Sequence, residues 1–93
     1  MKAQLLYRER LIIAENRFVE MVVWQLSSSV MGSHHCFKYR LAFVVNGRCV
    51  LRYDNEAGKG DHRHHCGKQQ PYRFTTPQAL LTDFWHDVDT WEG

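Results

Sequence analysis

The first half of the chain alternates between apolar and polar residues in a way that is typical of β-strands. Residues 3–13 place four apolar side chains at odd positions and Arg8 and Arg10 at even ones, which predicts a strand. A helix is the alternative, because leucine, arginine and glutamate are good helix formers. Residues 18–26 are rich in β-branched and aromatic side chains and predict a second strand, and the polar break at 14–17 predicts a hairpin turn.

Asn46-Gly47 lies between two further apolar runs, residues 36–45 and 48–54. Asn-Gly in that setting is the strongest short signal for a hairpin, and it indicates a type I′ turn. A two-residue loop pairs Val45 with Arg48. The four apolar segments together predict a four-stranded, mainly antiparallel sheet.

The register that continues from this turn assigns side chains to the two faces of the hairpin. Without interruption it predicts three further pairs: Phe43 with Val50, Leu41 with Arg52, and Tyr39 with Asp54. Leu51 and Tyr53 then lie on the opposite face from Phe43. Both faces become polar at the end away from the turn, and the basic side chains that converge there are Lys38, Arg40 and Arg52.

Thr76-Pro77 predicts the start of a helix, because threonine is a good N-cap and proline fits the first helical position. Apolar residues then recur at helical spacing, at Leu80, Leu81, Phe84, Val88 and Trp91. Residues 71–74 predict a short extended piece before it. Strands followed by one helix predict a single α+β domain over residues 1–93, with the C-terminal amphipathic helix packed on one face of the sheet.

The charges are divided unevenly along the 93 residues. Residues 1–76 carry all 12 Lys and Arg with six acids, a formal charge of +6. Residues 77–93 carry four acids and no Lys or Arg, a formal charge of −4. A basic sheet with an acidic helix suits an anionic partner on one face, and a solvated surface of mixed charge is the alternative.

The cysteines and the N-terminus bear on the compartment. Three widely spaced cysteines without a Cys-x-x-Cys motif argue against a disulfide scaffold and for a reducing compartment. The N-terminus has no apolar signal-peptide core, and no apolar run reaches membrane-spanning length. These features predict a cytoplasmic protein without a membrane partner.

The candidate chemistry lies in residues 53–66, here called the histidine segment. It holds three of the six histidines and Gly58-Lys59-Gly60, and it has no apolar periodicity. In extended backbone, His62 and His64 face one side while Asp61 and Arg63 face the other. Two imidazoles can cleave RNA without a metal: one takes the proton of a 2′-hydroxyl, the other protonates the leaving 5′-oxygen, and a cation stabilises the charge on phosphate.

This reaction assigns roles to ten residues and requires no cofactor. The candidate catalytic residues are His62, His64, Asp61, Glu56 and Lys59, with the two acids able to replace or orient a histidine. The candidate substrate-binding residues are Arg63, Arg40, Arg52, Asp54 and Tyr53, the last by stacking on a base.

Three other interpretations of the histidines remain open. The segment can be a solvated surface loop. It can supply zinc ligands, although no standard finger spacing occurs; the candidate ligands are His62, His64, His65 and Cys66, with His34, His35 and Cys36. Cys66 can act as a nucleophile if a neighbouring histidine serves as its base.

Three stretches of the chain resemble the TumE family of small prokaryotic toxins. They are Lys38-Tyr39-Arg40-Leu41-Ala42-Phe43-Val44, the run from Val50 through Tyr53-Asp54-Asn55-Glu56-Ala57-Gly58-Lys59-Gly60-Asp61-His62-Arg63-His64, and Pro71-Tyr72-Arg73-Phe74. Toxins of this family are encoded in type II toxin–antitoxin pairs, beside an antitoxin with a DNA-binding region. The resemblance implies a growth-inhibiting toxin that is neutralised by a protein partner, and RNA cleavage is the usual activity of toxins of this size.

The sequence therefore predicts a toxin that acts as a metal-independent endoribonuclease, with its cognate antitoxin and RNA as partners. The acidic helix, with Trp91 near its end, is a candidate antitoxin contact. The oligomeric state is open, with a homodimer as one arrangement. The alternative functions are a non-catalytic nucleic-acid or protein-binding module and a metal-dependent nucleotidyl-type transferase.

Overall fold

The computed structural model describes residues 3–56, 60–65 and 67–92, and these form six strands and one helix. The elements are β1 Ala3–Ala14, β2 Arg17–Leu26, β3 Phe37–Val45, β4 Arg48–Asp54, β5 His62–His65, β6 Lys68–Pro71 and α1 Pro77–Thr90. The strands form one antiparallel sheet in the order β1-β2-β3-β4-β5-β6, so each strand lies beside its neighbour in the chain. The predicted α+β class, antiparallel sheet and C-terminal helix are confirmed.

The predicted number of four strands is wrong, because β5 and β6 were not recognised. Both are four residues long, and both are polar. They lack the apolar alternation that reveals a strand. They form because the outer edge of β4 offers unpaired backbone groups and Gly67, with φ of 81°, allows the chain to reverse.

The hairpin between β3 and β4 contains the main correction to the predicted register. Asn46 and Gly47 have φ of 52° and 76°, as a type I′ turn requires, and Val45 pairs with Arg48 as predicted. The register then shifts between Phe43 and Val44, so that Phe43 pairs with Leu51. The structure contradicts the predicted pairs Phe43 with Val50, Leu41 with Arg52 and Tyr39 with Asp54.

The shift is a β-bulge that exchanges the two faces of β4. Leu51 and Tyr53 now lie on the same face as Phe43, and Arg52 and Asp54 lie on the other. Leu51 is 0% and Tyr53 is 1% exposed. The bulge is favoured because it buries these two side chains against the helix in place of two charged ones.

The core lies between α1 and one face of the sheet. Thr76 caps the helix by accepting a hydrogen bond from the Ala79 backbone N–H at 3.0 Å, and Pro77 is the first helical residue, as predicted. The helix buries Leu80, Phe84 and Val88, and the sheet residues that form the core with them are Val19, Met21, Val23, Tyr39, Leu41, Phe43, Val45, Leu51 and Tyr53. The opposite side, which carries Val22, Arg40, Asp54 and His62, is here called the open face.

Buried polar contacts hold the connection between β2 and β3 against the chain that follows β4. Asn55 is 0% exposed. Its Oδ1 accepts from the Tyr39 N–H at 3.0 Å, and its Nδ2 donates to the Phe37 carbonyl at 2.8 Å. Gly60 packs so close to Gly32 that an added Cβ would lie 2.8 Å from the Gly32 carbonyl oxygen. The backbone just before β5 is thereby fixed in place.

Replacement of Gly60 by alanine is expected to lower the free energy of unfolding by about 2–4 kcal/mol. Gly60 has φ of 86°, which strains an L-residue, and the new Cβ would also clash with backbone. Gly47→Ala is the matched control, since its φ is 76° but nothing lies within 4 Å. It should cost about 1–2 kcal/mol in the same urea denaturation experiment. Equal losses for the two variants would show that the contact with Gly32 contributes nothing.

Candidate functional site

The pairing of β5 with β4 divides the predicted site residues between the two faces of the sheet. Asp54 pairs with His62, Arg52 with His64, and Tyr53 with Arg63. Directly opposed residues share a face. His62 and His64 therefore lie together on the open face, as extended backbone predicts, and Arg63 lies on the helix side.

Four side chains of the open face form a connected cluster, here called the paired-histidine site: Arg52, Asp54, His62 and His64. The two imidazole rings are 5.2 Å apart between centroids. Asp54 lies between His62 and Arg52, with its Oδ1 3.0 Å from His62 Nε2 and its Oδ2 2.8 Å from Arg52 Nε. A guanidinium nitrogen of Arg52 donates to His64 Nε2 at 3.0 Å, which closes the cluster.

The neighbours of the two rings assign them opposite hydrogen-bonding roles. His62 has an acceptor at each ring nitrogen: the Gly60 carbonyl lies 3.1 Å from Nδ1, and the Asp54 carboxylate lies 3.0 Å from Nε2. A doubly protonated imidazolium satisfies both acceptors. Arg52 can only donate, so His64 Nε2 carries a lone pair. One ring thus holds a proton where its neighbour accepts one.

Basic residues extend from this site across the whole open face. Two rows of directly opposed residues, here called the basic rows, run perpendicular to the strands. The first row is Arg8, Val22, Arg40, Asp54 and His62, and the second is Arg10, Glu20, Ala42, Arg52 and His64. Four strand spacings of about 4.8 Å make each row about 19 Å long. At the end away from the histidines the rows line a groove that includes Arg8, Arg10 and Arg40.

Arg8 and Arg10 were not among the residues predicted for the site. Their even positions indicated a polar face of β1, but only the pairing of β1 through β4 aligns them with Arg40 and Arg52. The local pattern holds no signal for that alignment.

The helix side receives two of the predicted substrate-binding residues, Tyr53 and Arg63. The Tyr53 hydroxyl donates to the Asp87 carboxylate, and Arg63 donates to the same carboxylate at 3.0 Å. Tyr72 adds a hydrogen bond to Asp83 at 2.6 Å. These contacts fasten α1 to the sheet, and the buried Tyr53 ring lies away from the open face.

Asp61 is also turned away from the paired histidines. Its carboxylate accepts from the Tyr39 hydroxyl at 2.7 Å and from His35 Nε2 at 2.8 Å. His35 stacks on Phe74 with 3.9 Å between ring centroids. Asp61 therefore binds the β2–β3 connection to the helix side of the sheet.

Two of the predicted catalytic residues remain, Glu56 and Lys59. Glu56 is exposed in the turn after β4, and Lys59 lies outside the described residues. Of the described catalytic candidates, the structure brings together His62 and His64, joined by Arg52 and Asp54.

Within residues 3–56, 60–65 and 67–92, no three His, Cys, Asp or Glu side chains are placed to share a metal ion. Cys66, which was a candidate zinc ligand and nucleophile, lies outside these ranges. The helix of the described chain is too short and too polar to span a membrane.

Comparison with protein families gives a match over nearly the whole chain. The family model described as toxin TumE covers residues 2–92. This chain belongs to the TumE family. The resemblance of the histidine segment and its flanking strands is confirmed by that match. No curated protein and no solved structure matches the chain. Membership in the TumE family supports a toxin, and a toxin of this kind implies an antitoxin partner.

In this TumE family member, Asp87→Asn is expected to lower the free energy of unfolding by about 1–2 kcal/mol, because a charge-assisted contact with Arg63 becomes a neutral one. Asp89→Asn is the matched control on the same helix, since Asp89 is exposed. It should change stability by less than about 0.5 kcal/mol in chemical denaturation. A loss of the same size in both variants would remove the argument that Asp87 fastens the helix.

Two buried tyrosines, Tyr39 and Tyr53, and the half-buried Tyr72 predict a loss of stability in alkali. Burial, and then a hydrogen bond to a carboxylate, raises the pKa of Tyr39, Tyr53 and Tyr72 above the usual value of 10.0. Because these folded-state pKa values exceed the unfolded one, their contribution is complete below pH 10 and is lost as pH rises above it.

The free energy of unfolding should therefore fall above about pH 10, by up to about 1.4 kcal/mol per pH unit for each of these tyrosines. Urea denaturation at a series of pH values measures the slope. Tyr72→Phe should make that slope shallower. An unchanged slope in the variant would mean that Tyr72 ionises as readily in the folded protein as in the unfolded chain.

Proposed function

We propose that this chain is an endoribonuclease toxin that cleaves single-stranded RNA at the paired-histidine site without a metal ion. The observation that carries the proposal is the pair of adjacent imidazoles, one donating and one accepting, at the end of two basic rows. This is the arrangement that general acid–base cleavage of RNA requires.

In the proposed reaction His64 is the general base. The approaching phosphate draws the Arg52 guanidinium away from His64 Nε2, and this nitrogen then takes the proton of the 2′-hydroxyl. The 2′-oxygen then forms a bond to the adjacent phosphorus as the bond from phosphorus to the 5′-oxygen breaks. Arg52 stabilises the charge that develops on the phosphate oxygens.

His62 is the general acid of the same step. It gives its proton to the departing 5′-oxygen, so the products are a 2′,3′-cyclic phosphate and a 5′-hydroxyl, and the proton taken by His64 balances the proton lost by His62. Asp54 and the Gly60 carbonyl contact the two ring nitrogens and hold the ring in this orientation. The His62 side chain is only 7% exposed, and a cleft lined by Gln69, Gln70 and Pro71 reaches it.

The basic rows give the substrate a path across the strands. Arg40 lies beside Asp54 in the row that ends at His62, so it can bind a phosphate next to the scissile one. Arg8 and Arg10 are about 19 Å from the histidines, where they can bind more distant phosphates. Arg63 and Tyr53 support the site from behind, through the helix. Roles for Glu56 and Lys59 stay predictions.

One observation favours a second candidate function, a nucleic-acid-binding module without catalysis. His62 is buried, and both of its nitrogens bond to groups of the protein. If the role of His62 were purely structural, the basic rows could still bind RNA. The reaction would then lack the general acid that complements His64.

The test is cleavage of RNA by the purified protein and growth arrest on induced expression. His62→Gln and His64→Gln should each lower the cleavage rate by about 10²–10⁴-fold, because each removes one proton transfer. His86→Gln is the control, since His86 is exposed on the helix. Cleavage should persist in EDTA and should stop at a site that carries a single 2′-deoxynucleotide.

Other outcomes decide between the candidate functions. Growth arrest with intact RNA would overturn cleavage, and RNA binding that survives both histidine substitutions would then favour the binding module. RNA cleavage that EDTA abolishes would overturn the metal-independent mechanism. A growth arrest with intact RNA that depends on a metal ion would favour the metal-dependent transferase. Circular dichroism of each variant shows whether it has folded.

A further inference from the structure

The long outer edge of β1 is not used by the proposed reaction. Among the described residues β1 pairs with β2 alone, so the outward backbone groups along its 12 residues have no partner strand. At about 3.4 Å per residue this edge is about 40 Å long. It matches the longest dimension of the molecule, 39 Å. The opposite edge, β6, has only four residues.

Exposed apolar side chains are concentrated on this strand. The described chain has six exposed large hydrophobic residues, and all but Met31 lie on β1: Leu5, Leu6, Leu11, Ile12 and Ile13. Ile12 is 79% exposed. The helix packs over β3 and β4, and ten of the 12 residues of β1 are exposed. A long edge that is apolar toward both ends and lacks proline and lysine is a template for pairing with another strand.

The charges of β1 argue against a second copy as its partner. In a two-fold antiparallel pair, opposed residues share a face of the sheet. Glu9 lies on the other face from Arg8 and Arg10, so such a pair never places an arginine opposite Glu9. Pairing centred on any of these three residues places like charges opposite each other, which is unfavourable.

The same charges specify a partner strand of different composition. Arg8 and Arg10 point to the open face, where they line one groove with Arg40 and one acid, Glu20, so that arginines outnumber acids on this face of the groove three to one. Acidic side chains at alternate positions of an added strand would lie over this groove. Apolar side chains toward the ends of that strand would lie beside the leucines and isoleucines of β1.

We propose that β1 binds an extended segment of the antitoxin, which adds to the sheet as a seventh strand and places acidic side chains over Arg8 and Arg10. The inference rests on the toxin assignment within the proposed function but not on RNA cleavage. The bound segment covers the end of the basic rows away from the histidines, so it competes with RNA for the same arginines.

Hydrogen exchange of the unaltered protein, with and without its purified cognate antitoxin, tests the proposal without any substitution. Amides of β1 should exchange at least tenfold more slowly in the complex, because the added strand protects those that point outward. A complex that leaves exchange in β1 unchanged would overturn the proposal. RNA cleavage does not enter this measurement, so a failure of the nuclease function is distinguished from a failure of this one.

Substitution tests the side-chain contacts. Ile12→Lys should weaken antitoxin binding by at least tenfold, and Arg8→Glu combined with Arg10→Glu should weaken it further. Met31→Lys is the matched control, since Met31 is 80% exposed and lies outside the sheet. It should leave the dissociation constant unchanged.

Light scattering of the toxin alone tests whether the β1 edge pairs with a second copy of the chain instead. A monomer at micromolar concentration agrees with the proposal. A dimer that Ile12→Lys converts to a monomer would assign the edge to a second copy and overturn it.

Discussion

The position of the paired-histidine site depends on the bulge between β3 and β4. One residue of slippage buries Leu51 and Tyr53 under the helix and turns Arg52 and Asp54 to the open face. Because β5 pairs with β4 from that register onward, the same slippage decides which face receives His62 and His64. The burial of Leu51 and Tyr53 thus determines which face of the sheet carries the four side chains of the paired-histidine site.

Two acids of the helix make hydrogen bonds within the molecule. Asp83 and Asp87 accept hydrogen bonds from Tyr72, Tyr53 and Arg63, all of which belong to the sheet side. The division of charge along the chain is therefore partly an internal complementarity, in which the last element carries the partners of the strands before it.

The sequence was sufficient where structure is decided locally. Asn46-Gly47 and Thr76-Pro77 each determine their own turn or cap, and the alternation of extended backbone placed His62 and His64 together. It was insufficient where the position of a side chain or strand depends on a residue far away in the chain. Asp61 is held by His35 and Tyr39, and Arg63 by Asp87, none of which is near in the chain. The strands β5 and β6 were missed for the same reason, since their pairing partner rather than their own composition makes them strands.

The connectivity of the sheet indicates the order in which the β1 edge and the paired-histidine site can form during synthesis. Each strand pairs with the one made just before it, so the sheet can be assembled from β1 onward as the chain is synthesised. The edge of β1 is then complete when β2 has paired with it, whereas the paired histidines exist only after the fifth strand has been added. A chain assembled in this order would form the proposed antitoxin-binding edge before the proposed catalytic site.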